Sequence, residues 1–398
     1  MIVGLLVGFG VFWLGSFAYY LINRPQTGLL ERRGRVIYRD ENKNQLYGLQ
    51  NVDGKTFYFD PDSGYAYTGF KTLDNKTYYF NEEGEMYSGL REIKGESYYF
   101  NEDGSVLKES FQDIDIDGAR QRAYFDKEGH MLHDQTKKLN DIDIKFNEKG
   151  IMEFDTDYLK KEIERIMKAY GGDSSFYFKD LSTGKTISIN DKPFYPCCMI
   201  KVPALAAVHQ ALEDGKIDFE DNKLYMHYMI TISDNTSYNK LMRRVGNGKG
   251  LKGLKVANEI CEKAGMKDTE LHHGLKPGKS SFTDGGRNVS SAKDSGIFFE
   301  ALYNGEVVSK ERSQQMIDLL MQCKDTTQLV QGMPYGTVFA HKTGCTETYY
   351  HDGGIVYLPE GRDYILVVYS DGVENHEGLM MQIAELLYNY EIAFTVEK

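Results

Sequence analysis

The sequence predicts an α+β domain at the C-terminal end, preceded by a β-hairpin solenoid and an N-terminal transmembrane helix. Three observations carry this. Residues 1–22 hold no charged side chain. An aromatic pattern with a period near 20 recurs over the next hundred or so residues, which is a repeat signal. Beyond it, strand patterns at both ends of the remaining chain enclose a long helical stretch. These divide the 398 residues into a span at 1–22, a stalk at 23–45, repeats at 46–153 and a C-terminal domain at 154–398.

The first segment is mostly Gly, Val, Leu, Phe and Ile, with Trp13, Tyr19 and Tyr20. At about 1.5 Å per residue its length spans a hydrocarbon core of about 30 Å. A signal peptide needs a basic n-region and a small-residue cleavage site, and neither is evident, so an uncleaved single-pass anchor is expected. Arg24, Arg32, Arg33, Arg35 and Arg39 follow the span. Positive flanks favour the cytoplasmic side, yet long domains translocate despite such charge. The content of those domains places them outside the cell.

The polar, basic stretch 23–45 reads as a stalk. The repeat then shows as Tyr78-Tyr79-Phe80-Asn81-Glu82-Glu83-Gly84 and Tyr98-Tyr99-Phe100-Asn101-Glu102-Asp103-Gly104. Looser copies end at Gly64, Gly129 and Gly150. Aromatic strands closed by Asn/Asp-x-x-Gly turns predict β-hairpins, which bury too little alone and must stack on neighbours. This stretch resembles the choline-binding and glucan-binding cell-wall repeats of Gram-positive surface proteins. That resemblance implies aromatic cages for a quaternary ammonium by cation–π attraction. Here Gly69-Phe70 and Gly89-Leu90 stand where the family has Gly-Trp. Specific choline binding and a spacer with general wall contact both remain open.

In the last segment, Ser175–Asp180 and Lys185–Ile189 flank Ser182-Thr183-Gly184, a hairpin pattern. Helical patterns dominate from Cys198 to Tyr303. Strands return at Gly354–Leu358 and Tyr364–Tyr369, joined by Pro359-Glu360-Gly361-Arg362, and an amphipathic helix runs through Leu379, Ile383, Leu386 and Leu387. Three short motifs lie within this frame in order: Cys198-Met199-Ile200-Lys201, Ser233-Asp234-Asn235 and Lys342-Thr343-Gly344. They resemble the S-x-x-K, S-D-N and K-T-G motifs of class A β-lactamases and penicillin-binding proteins, with cysteine in the serine position. The resemblance covers residues 155–398. It implies the β-lactamase/penicillin-recognising fold, an antiparallel sheet flanked by helices.

Three residues of helical spacing bring Cys198 and Lys201 to one face. A helix N-terminus and an ammonium both favour thiolate, so the Cys198 pKa is expected to be depressed and its sulfur activated. By the resemblance, Lys201 takes part in proton transfer, Ser233 relays a proton to the leaving nitrogen and Asn235 holds the substrate amide. Lys342 and Thr343 bind the substrate carboxylate, Gly344 admits the substrate backbone, and the backbone N–H groups of Cys198 and Cys345 form the oxyanion hole. Asp234 is read as pinning its loop, and His341 as a packing residue of the strand. The strand is expected to begin at Lys342.

Class A β-lactamases use a loop glutamate to activate the deacylating water. In the segment from Thr269 to Gly278 the nearest glutamate, Glu270, falls several residues early and reads as a surface residue. A long-lived acyl-enzyme follows. The five cysteines, Cys197, Cys198, Cys261, Cys323 and Cys345, cannot all pair within one chain. Cys197–Cys345 matches, one residue early, a bridge found in some class A carbapenemases, whereas Cys198–Cys345 would block the site. Cys261 and Cys323 read as buried thiols in helices.

A net charge of −12 without a basic, aromatic-interleaved stretch argues against nucleic-acid binding. No His/Cys/carboxylate spacing fits zinc, and no cofactor is expected. Two functions stand. One is a cell-surface acyl-transfer enzyme of this superfamily, acting on β-lactams or D-Ala-D-Ala-like cell-wall peptides, with the wall polymer and the membrane as partners. The other is a non-catalytic wall-attached scaffold or sensor. Retention of Lys201, Ser233, Asn235, Lys342 and Thr343 favours the first; Cys198 and the missing glutamate favour the second.

Overall fold

The computed structural model describes residues 26–394 except 117, 140–141 and 276–281. The anchor expected at 1–22 lies outside the described residues. Among the described residues no helix is long and apolar enough to cross a membrane. The chain divides into two compact units: Met1–Gln135 with Phe146–Met152, and Thr136–Lys145 with Glu153–Lys398.

The first unit is a series of antiparallel hairpins. They are β1 (Gly28–Arg32) with β2 (Arg35–Arg39), β3 (Gly48–Val52) with β4 (Lys55–Phe59), β5 (Gly69–Leu73) with β6 (Lys76–Phe80), β7 (Gly89–Ile93) with β8 (Glu96–Phe100), and β9 (Ser110–Ile116) with β10 (Ala119–Phe125). Asp74 and Asn75 turn the β5–β6 hairpin with both φ positive, at 47° and 64°. Such primed turns match the right-handed twist of the strands. Strand alternation drives side chains two residues apart inward together, so Phe57 and Phe59, Tyr78 and Phe80, Tyr98 and Phe100, and Ala123 and Phe125 are buried.

Stacking is carried by the linkers. The Met86 N–H donates to the Thr56 carbonyl (2.8 Å), Val106 to Thr77 (2.7 Å) and Met131 to Ser97 (2.8 Å). Each hairpin is thus tied to the linker of the next repeat, the nearest-neighbour coupling that a solenoid needs. The turn glycines are required twice over. Gly104 has φ +81°, and a Cβ there would come within 2.3 Å of Met86 Cε.

The segment read as a stalk contains the first of these hairpins. Leu30 and Ile37 are buried, and the Ala66 N–H donates to the Val36 carbonyl at 2.7 Å, the same link as in later repeats. Ile37-Tyr38-Arg39 replaces the Tyr-Tyr-Phe signature. The hydrophobic alternation survives there while the aromatic pattern is lost, which is why sequence reading left it polar.

Three short strands, β11 (Gln135–Leu139), β12 (Ile142–Phe146) and β13 (Met152–Glu153), form a small sheet. The second unit is built on a five-stranded antiparallel sheet. Its strands are β14 (Asp173–Asp180), β15 (Thr186–Ile189), β16 (Val338–Cys345), β17 (Tyr349–Tyr357) and β18 (Tyr364–Asp371), in the order β15-β14-β18-β17-β16. The helices are α1 (Thr156–Tyr170), α2 (Lys201–Glu213), α3 (Phe219–Thr231), α4 (Asn235–Val245), α5 (Gly250–Lys263), α6 (Ala292–Tyr303), α7 (Lys310–Leu320) and α8 (His376–Ala393).

Both faces of the sheet are covered, so β18 is apolar throughout rather than alternating. Ile365, Val367 and Tyr369 belong to the core that also holds Phe298 and Phe299 of α6 and most of α2. Tyr364 packs against Phe178, and Phe154 meets Tyr390 of α8 edge-on at 5.1 Å. Helix α2 is buried nearly all round, which explains its lack of an amphipathic pattern. The half-buried Arg362 is shared by two buried carboxylates, Asp180 (3.0 Å) and Glu391 (2.6 Å).

Candidate active site

Four elements supply the site: the turn before α2, the start of α2, the loop between α3 and α4, and β16. Cys198 lies in a 3-10 turn, Cys197–Ile200, that runs directly into α2 at Lys201. The sequence suggested an α-helix here. In a 3-10 turn residues i and i+3 eclipse, so the two side chains converge more closely. Lys201 Nζ lies 3.2 Å from Cys198 Sγ. Cys197 takes a left-handed φ of 50°, uncommon for a residue with a Cβ.

Lys201 is fully buried. Its ammonium also donates to Ser233 Oγ (3.0 Å), to Asn235 Oδ1 (2.7 Å) and to the Ser233 carbonyl. Ser233 takes a left-handed φ of 57° in the three-residue link between α3 and α4. Asp234 caps α4, accepting from the backbone of Thr236 (3.2 Å) and Ser237 (2.6 Å). This is the pinning role read from its position, and such a cap is worth about 1 kcal/mol.

Burial pushes the Cys198 thiol up, but the Lys201 and Lys342 ammoniums and a hydrogen bond from Ser233 outweigh it, so its pKa is below that of an ordinary thiol. Burial brings Lys201 down to about 8, against the pull of the Cys198 sulfur. The cluster is therefore poised for proton exchange near neutral pH. Cys345 is raised by burial and by the neighbouring Cys198 sulfur, and Cys197 is raised by burial.

Strand β16 begins at Val338, four residues before Lys342, so the Lys342-Thr343-Gly344 motif occupies its second half rather than its start. Lys342 is fully buried and donates to the Thr343 carbonyl at 2.7 Å. Gly344 has a role the sequence did not show. A Cβ on it would stand 2.9 Å from the Cys198 nitrogen and 3.0 Å from Cys197 Cβ. The missing side chain lets β16 close onto the nucleophile turn. It thereby brings the β16 backbone at Gly344 against the Cys198 nitrogen. All five cysteines are free; Cys345 is exposed and Cys323 only half-buried, past the end of α7.

Glu270 is not part of this cluster. Its carboxylate pairs with His272 Nε2 at 3.1 Å and is largely exposed. Sequence reading passed over two groups that flank the site. His341 is buried, with Nδ1 2.8 Å from Asp352 Oδ1. Burial opposes its charge, but the Asp352 carboxylate raises it to about 10. His351 is buried and brought down to about 4 by that burial. It accepts at Nδ1 from the Ser370 N–H (3.2 Å), so Nε2 donates to the Tyr195 carbonyl (2.8 Å) and ties the approach to Cys198 onto the sheet. His341 and Asp352 are diagonal partners across β16 and β17, a relation that needs the strand register.

Among the described residues no group of His, Cys, Asp and Glu could hold a metal ion. The arrangement can do nucleophilic acyl chemistry, with a sulfur nucleophile, a buried ammonium and a hydroxyl beside it.

Comparison with known proteins agrees. A choline-binding repeat model matches residues 46–88 and 67–111. No curated protein matches. Among solved structures, PBP-A is 22% identical over 59% of this chain and 96% of its own, with a TM-score of 0.52. A β-lactamase from Sphaerobacter thermophilus is 20% identical over 60% and 97%, with a TM-score of 0.50. The TLA-1 extended-spectrum β-lactamase is 18% identical over 59% and 98%, with a TM-score of 0.51. At such identities the likeness shows the fold. The model of the beta-lactamase enzyme family matches residues 158–226 and 222–391, more than half of the chain and all three motifs, and the chain belongs to that family.

Proposed function

We propose that this chain is a cell-surface acyl-transfer enzyme that forms a covalent acyl-enzyme on Cys198 with β-lactams or D-Ala-D-Ala-like cell-wall peptides. The observation that carries this reading is the convergence of Cys198, Lys201, Ser233 and Asn235 around one buried ammonium. The Cys198 thiolate attacks the substrate carbonyl carbon, and the carbonyl electrons move to oxygen, where the Cys198 and Cys345 N–H groups receive the charge. The tetrahedral species collapses to a thioester as the C–N bond breaks, and the leaving nitrogen takes a proton from Ser233, which Lys201 replenishes. Lys342 and Thr343 would hold a substrate carboxylate, and Asn235 its amide.

With Glu270 paired to His272 and outside the Cys198 cluster, it does not activate water there, and the thioester persists. A mutant of PBP-A has been solved as an acyl-enzyme with penicillin G, and the same chemistry at Cys198 is the proposal here. The hairpin repeats are proposed to contact the wall, and residues 1–22 to anchor the chain in the membrane with both units outside. The second reading, a scaffold with a silenced site, is favoured by the sulfur at position 198.

Intact-mass spectrometry of the reduced full-length chain with benzylpenicillin tests this. A penicilloyl adduct on the parent, lost in Cys198→Ala, is expected. An adduct only on Cys198→Ser would mean a site silenced by sulfur, and none on any chain would sink the enzyme reading.

A further inference from the structure

Between Asn235 and Asn258 the chain carries six cations, Lys240, Arg243, Arg244, Lys249, Lys252 and Lys255, and no Asp or Glu, although its net charge is −12. This run is α4, the turn after it and the first part of α5. Backbone contacts draw its charges together. The Gly248 N–H donates to the Arg243 carbonyl (2.7 Å), and the Lys252 N–H to the Lys249 carbonyl (3.0 Å). A Cβ on Gly253 would stand 2.0 Å from the Met242 carbonyl oxygen, so α5 lies directly against the end of α4. Arg243 is thereby carried beside the turn that holds Lys249 and Lys252.

Two of the six cations turn toward α3. Lys240 meets the Tyr225 hydroxyl, and Arg244 donates to the Asp221 carbonyl (2.6 Å) and to Asn222 Oδ1 (2.7 Å). The other four are exposed. Other cations of this unit meet carboxylates, as Lys293 does Asp191 (3.0 Å) and Arg312 does Glu213 (2.8 Å). Among the described residues Lys249, Lys252 and Lys255 form no ion pair. Lys252 and Lys255 stand three apart on one helix, about 5–6 Å between Cβ atoms, where like charges repel. Helix α5 has no acidic residue in its first turn to offset them. The fold of the two helices does not need this repulsion, and an anion laid across the row relieves it.

We propose that Arg243, Lys249, Lys252 and Lys255 form a docking surface for an anionic wall polymer with repeating phosphodiester groups. This rests on the wall-contact reading above. The cations follow two helices and a turn rather than converging on one point, which suits a repeating anion over a single small one. Lysine is a hydrated point charge that pairs with phosphate without fixing its orientation. Leu251 is the one large apolar side chain exposed in this run among the described residues, too little for a lipid-embedded face. Helix α4 runs from Asn235 in the site to this surface, a length of about 16 Å. A polymer docked there holds the cleft against the wall.

Binding of the full-length chain to fluorescent poly(glycerol phosphate) is to be measured across salt concentrations. A single-stranded oligonucleotide of equal phosphate number and phosphatidylglycerol vesicles serve as the other ligands. Lys249→Gln/Lys252→Gln/Lys255→Gln is compared with Lys160→Gln/Lys161→Gln/Lys168→Gln, which removes the same charge from exposed positions of α1. Circular dichroism checks that both variants are folded. The first variant is expected to lose about tenfold in affinity at low salt, and the slope of log K against log salt should shrink by about two. The α1 variant should keep the parent's values. Equal losses in the two variants overturn the docking surface, and so does tighter binding to the oligonucleotide or the vesicles than to the polymer. If the first variant binds the polymer as tightly as the parent, the surface falls and wall contact through the repeats stands. No polymer binding by any chain overturns both.

Discussion

At the scale of single residues, sulfur changes what the site asks of its lysine. A hydroxyl needs a base to remove its proton as it attacks, whereas a thiol can be deprotonated beforehand by a nearby positive charge. Lys201, 3.2 Å from Cys198, supplies that charge with Lys342 behind it. Removing Lys201 should return the thiol toward its ordinary pKa. In Lys201→Met, the rate of Cys198 alkylation by iodoacetamide near pH 7 is expected to fall about tenfold, with the midpoint of its pH profile moved up by about one unit. Peptide-resolved mass spectrometry separates Cys198 from the exposed Cys345, and an unshifted midpoint would mean that Lys201 does not set the thiolate. Cys198, Lys201 and Ser233 were legible in the sequence because their chemistry depends on short-range spacing and motif order. The His341–Asp352 pair was not, because it is set by the strand register of β16 and β17.

At the scale of elements, the hairpins were legible wherever both aromatics and turn glycines recur, and missed where Ile37 alone carries the inward position. The missing tryptophans have a structural counterpart. Lys71 Nζ stands 4.9 Å from the Tyr67 ring centroid and 5.3 Å from that of Tyr58. An ammonium belonging to the chain thus fills a two-ring site of the kind that attracts a quaternary ammonium. Arg35 over Tyr65 at 3.9 Å and Arg91 over Tyr87 at 5.5 Å repeat the theme. These contacts favour general wall contact over choline capture at these rings. Millimolar choline is therefore expected to leave hydrogen exchange of β4–β6 unchanged in the parent. In Lys71→Ala, where the rings are vacated, it should slow that exchange about threefold, the effect of one exposed cation–π contact. Protection of the parent would show that the ring site is open to choline.

At the scale of the whole molecule, the buried titrating groups of the second unit set how stability responds to pH. Burial brings both His209 and His351 down to about 4. The unfolded chain therefore binds more protons than the folded one between about pH 4 and the ordinary histidine value of 6.5. Their neutral, buried state is fully compatible with folding above 6.5 and is lost as pH falls. Glu391 acts in the opposite sense. Burial raises it to about 8, although Arg362 pulls it down, so its contribution shrinks as pH rises from 4.5 toward 8. His341, held near 10 against burial by Asp352, likewise contributes below 6.5 and fades above it. Between 4.5 and 6.5, two histidines oppose one carboxyl, and stability rises with pH. From 6.5 toward 8 Glu391 and His341 act together, and it falls. The maximum belongs near pH 6.5. From there to pH 4.5 the net change is about two pKa units, or about 3 kcal/mol. The hairpins respond differently, since the shifted carboxylates Asp60 and Asp103 lie below 3.8 and are lost only as pH falls further. Hydrogen exchange, corrected for intrinsic rates, should thus show β14–β18 and α2 losing protection between pH 6.5 and 4.5 while β3–β8 keep theirs. Replacing His209, whose Nδ1 has no partner among the described residues, with Gln should flatten the acid limb almost completely, because one histidine then only balances Glu391. A stability that rises steadily from pH 6.5 to 8 would show that Glu391 and His341 are not held in their protonated forms.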